Sequence, residues 1–186
     1  MKRLLLSLAV SGVFAFSTVS AQTKSSGLHG QQLSFGVDAV APLGNLSDSH
    51  KFGFGGSVQF QTPIVENLNF TASVGYLSFV GKYYNQPGYY PGTYNKVREN
   101  SLNAVPVKIG ARYFITDKFY AGGEIGVAFL SSDGDSATAF AYSPNIGFQV
   151  PLANKKAIDL GVRFEGWSNN GSASFMGLRA AYNFGI

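Results

Sequence analysis

Side chains able to do chemistry are few in this chain. It holds no cysteine and only two histidines. His29 sits in a polar Ser/Gly-containing stretch, and His50 follows Ser47, Asp48 and Ser49. A serine within hydrogen-bond reach of a histidine is the minimum for nucleophilic acyl transfer. Four neighbouring polar residues are more simply a solvated turn, because no third group on a rigid element is evident to orient the ring. No spacing suits a metal. Gly53-Phe54-Gly55-Gly56 is not followed by Gly-Lys-Ser/Thr, so it is no phosphate loop. No catalytic residue, metal or cofactor is expected. Two other groups stand out. Eight charges, Asp38, Glu124, Asp159 and Glu165 with Lys108, Arg112, Arg163 and Arg179, lie inside alternating segments. Five tyrosines, Tyr83, Tyr84, Tyr89, Tyr90 and Tyr94, cluster with Asn85, Gln86, Pro87, Pro91, Lys82, Lys96 and Arg98.

The elements that must carry these residues read in twos. In residues 174–186, Met176, Leu178, Ala180, Tyr182, Phe184 and Ile186 share one parity, and Gly177, Arg179, Ala181, Asn183 and Gly185 share the other. A period of two places the sets on opposite faces of a strand. The same pattern predicts strands over about 31–42, 52–62, from 68, 100–114, 119–130, 137–150 and 157–167, which with 174–186 makes eight. Each reaches the ~9 to 11 residues that a tilted membrane strand needs. Residues 63–67, 116–118 and 151–156 are turns; 43–51, 81–99, 131–136 and 168–173 are the opposite connections, 81–99 being the longest. Three places resist. Leu77 and Phe79 depart from the parity of Leu68 to Tyr76, which predicts a β-bulge near Tyr76 or a strand leaving the membrane. Pro106 and Pro144 each delete a ladder hydrogen bond, and a bulge is expected at each, or a strand end near Pro106.

Two barrels fit such alternation. A soluble lipocalin-like barrel would turn its apolar face inward around a ligand and its charges to water. Three features favour the inverse, a transmembrane barrel. The charges on the polar face balance at four against four, which suits a closed interior. That face is rich in Gly, Ser and Ala, as a narrow eight-stranded lumen filled by long Arg and Lys requires. The other face carries the aromatics that anchor at membrane interfaces, where a basic residue at the midplane would cost ~2–4 kcal/mol. The fold class is therefore all-β, an eight-stranded antiparallel up-and-down transmembrane β-barrel. Asp38 and Arg179 lie about seven residues up the first and last strands, roughly 24 Å at ~3.4 Å per residue. They should be neighbours where the barrel closes. Lys108, Glu124 and Arg163 lie at similar heights, so a paired charge layer across the lumen is expected, unpaired buried charge being costly. The alternative is an ion path lined by the same charges.

Bulk properties bound the setting. Lys2 and Arg3, the apolar runs 4–10 and 13–16, and Val19-Ser20-Ala21 read as a secretory signal peptide over 1–21, cut before Gln22. The run is short of the ~20 residues of a spanning helix, and no Cys follows for lipoprotein processing. Residues 22–30 form a periplasmic lead-in and 31–186 the barrel. Losing Lys2 and Arg3 takes the formal charge from +4 to +2, and no basic patch is clustered in sequence, so nucleic acid is not an expected partner.

Residues Val105-Pro106-Val107-Lys108-Ile109-Gly110-Ala111-Arg112-Tyr113-Phe114, a short turn, then Phe119-Tyr120-Ala121-Gly122-Gly123-Glu124-Ile125-Gly126 resemble small outer-membrane barrel proteins. The group is the OmpA/OmpX-like, porin-family type, in a style similar to Bacteroidetes barrels. The resemblance covers the whole mature chain. The closing Gly177-Leu178-Arg179-Ala180-Ala181-Tyr182-Asn183-Phe184 resembles the signal read by the barrel-assembly machinery. The resemblance implies a Gram-negative cell envelope, with outer-membrane lipid and lipopolysaccharide as surroundings. This fold hosts adhesins, enzymes and structural proteins alike. The leading expectation is a non-enzymatic barrel, structural or acting on an extracellular glycan or protein through its outer loops. The tyrosine loop is its contact surface, although some of these rings suit the outer aromatic girdle. The alternatives are a small porin-like channel and a lipid A-modifying acyltransferase or deacylase.

Overall fold

The computed structural model describes residues 30–87, 94–169 and 171–186. The expected signal peptide, the lead-in up to His29, and Tyr89, Tyr90 and Pro91 lie outside the described residues. Among the described residues there are ten strands, β1 (Gln32–Leu43), β2 (His50–Val65), β3 (Leu68–Gly81), β4 (Tyr83–Pro87), β5 (Tyr94–Arg98), β6 (Leu102–Phe114), β7 (Phe119–Ser132), β8 (Asp135–Leu152), β9 (Lys156–Ser168) and β10 (Ser172–Gly185), with one helical turn, α1 (Asn45–Ser49). Eight of them close into an antiparallel barrel in the order β1-β10-β9-β8-β7-β6-β3-β2, with β2 returning to β1. Closure leaves no free edge, as a strand structure in hydrocarbon demands. The hairpin β4–β5 is inserted between β3 and β6 as a sheet of its own.

The six other connections between wall strands are far shorter than 81–99. Asp133 and Gly134 alone join β7 to β8, at φ 48° and 88°. Two successive positive φ values match the twist of a tight hairpin, so the expected loop 131–136 is mostly strand. At the opposite end Asn67 (φ 62°) turns β2 into β3, and Asn154 and Lys155 (φ 61° and 56°) turn β8 into β9. This turn end also holds both described chain ends: Ile186 N donates to Gln31 O at 2.9 Å. The loop end holds α1, the hairpin, Asn169 and Gly171.

Alternation decides which face is inward. Val37 (68% exposed), Ile109, Ile125, Ile146 and Leu178 point outward. Their strand neighbours Asp38, Lys108 and Glu124 are buried. A water-soluble protein does not present so continuous an apolar wall. The soluble-barrel arrangement would bury the aliphatic set instead. The wall is a transmembrane one.

The expected bulges are absent from their expected places. Between β3 and β6 the register runs unshifted from Leu68↔Tyr113 through Val74↔Val107 to Leu77↔Ala104 and Phe79↔Leu102. Leu77 and Phe79 therefore keep their parity, and it is their chemistry that departs from the pattern: both point into the lumen, 1% and 0% exposed. Pro106 still pairs with Ala128 of β7, and pairing on the β3 side simply lapses beside it. Gly75, which has no side chain to collide with the Pro106 ring, faces it there. Pro144 pairs with Gly123, and the β8–β9 pairing lapses between Tyr142↔Gly166 and Asn145↔Arg163 without a shift. Each proline forgoes its one donor while its other neighbour holds the strand in register. The real register shifts are in the β2–β3 pairing, between His50 and Gly53 and between Pro63 and Val65, at the two ends of the barrel wall.

Candidate functional site

The lumen is built in three storeys. At the turn end, amides fill the section: Gln149 Nε2 and Asn183 Nδ2 both donate to Gln32 Oε1, at 2.9 and 3.1 Å. Asn69, Thr71 and Gln61 are buried beside them. Short polar side chains suit a narrow cylinder because they carry no net charge to neutralise.

The middle storey holds all eight charges. Lys108 Nζ lies 2.7 Å from Glu165 Oε2 and 3.6 Å from Glu124 Oε2. Arg163 bridges Glu165, at 3.0 Å, and Asp38. Arg112 pairs with Asp159 at 2.7 Å, and Arg179 Nη1 stands 3.9 Å from Asp159 Oδ1. Two polar side chains join these groups. Gln59 donates to Glu124 and accepts from Arg112, at 2.8 and 3.0 Å. Ser57 donates to Asp38 and accepts from Arg179, at 2.7 and 2.9 Å. Asp38 and Arg179 are register partners across the closing seam, yet the cation that bonds Asp38 is Arg163 of β9, reaching over Gly177 of the intervening β10. Tyr120, also inward, donates to Asp159 at 2.8 Å and lies 3.7 Å from the Arg112 guanidinium, face on. The space between these groups is a cavity of about 50 Å³, the size of a few water molecules.

The loop-end storey is apolar. Phe79, Trp167 and Phe175 meet edge to face, with centroids 5.0 to 5.8 Å apart, a favoured aromatic geometry. They are fully or almost fully buried, as are Val40 and Leu77. Ala104, Ala128, Ala139 and Ala141 face them from β6, β7 and β8, and these small residues leave the section its room. Leu46 of α1 closes the top. Trp167 Nε1 donates to Glu165 Oε1 at 2.9 Å, coupling the plug to the charges beneath. The sequence-level pairing of apolar with lipid missed Phe79, Trp167, Phe175 and Tyr120. The signal was present in parity: Phe79 shares that of Thr71 and Ser73, Trp167 that of Arg163 and Glu165, Phe175 that of Arg179, and Tyr120 that of Glu124.

His50, at the loop end of β2, is mostly buried against this plug, its ring 6.3 Å from Phe79. Nε2 is 3.2 Å from the Asn100 carbonyl, which can only accept, so in the neutral ring Nδ1 accepts from Ser49 Oγ at 2.8 Å. Asp48 is exposed and makes no bond to the ring. The contact latches α1 to the base of the hairpin, as does Lys82 Nζ bonding Ser47 O.

The hairpin places Tyr83 opposite Arg98 and Asn85 opposite Lys96 on one face, and Tyr84 opposite Val97 and Gln86 opposite Asn95 on the other. Tyr83, Tyr84 and Tyr94 are exposed. Lys51, Lys96 and Arg98 all lie 5.5 to 5.9 Å from the Tyr83 ring centroid.

A closed wall with an apolar outside and an ionic, plugged inside defines a small transmembrane β-barrel. No protein-family model matches the chain, and no curated protein matches it. Solved structures are similar. Neisserial surface protein A is 15% identical at TM-score 0.61, covering 87% of this chain and 100% of its own. Ail, the attachment invasion locus protein of Yersinia pestis, is 16% identical at TM-score 0.50, covering 84% and 99%. Ail has also been solved with the heparin analogue sucrose octasulfate, at TM-score 0.52. The outer membrane protein OprG of Pseudomonas aeruginosa is 11% identical at TM-score 0.50, covering 87% and 99%. At these identities the likeness is one of fold.

Proposed function

We propose that the chain is a non-conducting outer-membrane barrel, without enzymatic activity, that acts through what its loop end presents outside the cell. The observation that carries this is the double closure of the lumen. A neutral network of eight buried charges spans it, and a ring of Phe79, Trp167 and Phe175 seals it above. A hydrated ion would have to break the first and wet the second. The fold shared with outer-membrane proteins supports the location, and residues 1–21 supply the export signal in this reading. The C-terminal strand β10 is the segment offered to the assembly machinery.

Planar-bilayer recording of the purified chain tests the closure. No ohmic steps are expected. Steps that scale with salt would sink the proposal and favour the porin-like channel. The enzymatic alternative is tested by His50→Ala and the lipid A profile of the host: an unchanged profile is expected, since His50 acts as a latch. The export reading expects a mature mass beginning at Gln22.

A further inference from the structure

We propose that the cation-bearing face of the β4–β5 hairpin binds a sulfated or phosphorylated polysaccharide chain. This rests on the surface-interaction reading above and names its ligand class. Lys51, Lys96 and Arg98 converge on the single exposed ring of Tyr83. None of them takes part in the six ion pairs among the described residues. The contrast with the lumen, where every cation has a carboxylate, is sharp. Like charges gathered in this way, Lys96 and Arg98 on β5 and Lys51 on the neighbouring β2, repel one another, and one tyrosine face offsets this only in part. The convergence therefore leaves positive potential directed at solvent, and a multivalent anion is what it attracts.

Geometry narrows the class. Lys96 and Arg98 sit two residues apart on one face of β5, roughly 7 Å at ~3.4 Å per residue. One chain with repeated anionic groups reaches both. Tyr83 and Arg98 pair at the base of the ribbon, beside the barrel rim where Lys51 follows His50, and Lys96 lies two residues further out. Tyr83, Asn85, Tyr94, Lys96 and Arg98 share this face, with no Leu, Ile, Val or Met among them. Lysine is depleted at protein interfaces and two of the three cations here are lysines, while the exposed tyrosine offers rigid contact area at low entropic cost.

The test uses the mature chain in zwitterionic phosphatidylcholine nanodiscs and a heparin decasaccharide as probe, measured by calorimetry at stepped salt. Neutral dextran and polyglutamate are the comparison ligands, and discs containing lipopolysaccharide form a further arm. A Lys51→Gln/Lys96→Gln/Arg98→Gln variant is compared with Lys118→Gln/Lys155→Gln/Lys156→Gln, which removes the same charge at the turn end. Heat-modifiable gel mobility verifies that both are folded. The decasaccharide should bind, dextran should not, and salt should weaken the binding. The loop-end triple should lose about 10- to 100-fold, as three exposed ionic contacts would, and the turn-end triple should match wild type. Absence of binding, equal losses in both triples, or equal affinity for polyglutamate would overturn the assignment. So would cation-dependent binding of lipopolysaccharide with none of the decasaccharide. Host-cell attachment separates the two levels. If deleting residues 83–98 abolishes attachment while the loop-end triple attaches normally, the polysaccharide assignment fails and the surface role stands. If the deletion leaves attachment intact, both fail.

Discussion

Replacing Lys108 by Met removes the cation at the centre of the lumen network. Lys108 is 5% exposed, with Glu165 Oε2 at 2.7 Å and Glu124 Oε2 at 3.6 Å. At an effective dielectric of ~20, those attractions are roughly 6 and roughly 5 kcal/mol. Desolvating the ammonium cancels several kcal/mol of this. What remains after the change decides the cost. Glu165 keeps Arg163 at 3.0 Å and the Trp167 indole at 2.9 Å. Glu124 keeps only the neutral donors Gln59 and Ser73, at 2.8 and 3.1 Å, because Lys108 is its one ion partner among the described residues. A buried carboxylate stranded in this way destabilises a fold by about 3–5 kcal/mol. Adding Glu124→Gln restores neutrality and retains hydrogen bonding. The double variant should return to within about 1–2 kcal/mol of wild type. Urea unfolding in lipid vesicles reads both, with Trp167 as reporter: it is the chain's one tryptophan and is bonded to the network itself. A single variant within about 1 kcal/mol of wild type, or a double variant no better than the single, would refute the view that pairing holds the lumen together.

Three further outcomes follow from the packing. Phe79→Ala should cost about 3–5 kcal/mol in the same urea assay, and Phe54→Ala, on the lipid-facing wall, less than half of that; equal costs would mean that Phe79 does not face inward. Gly147→Ala would set a methyl group 2.1 Å from the Tyr120 hydroxyl, so Tyr120 must leave Asp159 and stability should fall by about 1–3 kcal/mol, whereas an unchanged urea midpoint would show that the ring does not lie over that glycine. Replacing residues 83–98 by a short Gly/Ser linker should shift the midpoint by no more than about 0.5 kcal/mol, since the hairpin pairs only with itself; a larger shift would make it part of the barrel.

Much of the wall was legible because a membrane barrel writes its two solvents onto alternate residues. Val37 beside Asp38, Ile109 beside Lys108 and Leu178 beside Arg179 each report a face without any neighbour being known. The reading failed where chemistry and position part company. Leu77 and Phe79 suggested a bulge because apolar was equated with lipid, while their parity, the stronger constraint, placed them inward. Pro106 and Pro144 suggested bulges because a missing donor was expected to break the ladder. In the barrel each loses pairing on one side and keeps it on the other.

The sequence by itself determined what depends on neighbours along the strand: the number of wall strands, the face each residue takes, and the set of eight charges that must share the interior. Only the tertiary structure decided what depends on closure. Which cation meets which carboxylate, with Arg163 of β9 rather than the register partner Arg179 bonding Asp38, is decided only once β1 closes against β10 and brings β9 within reach. The gathering of Lys51 with Lys96 and Arg98 around Tyr83 likewise joins residues far apart in the chain. A period of two carries no information about contacts of that kind, because it reports the face a residue takes and not which strands become neighbours.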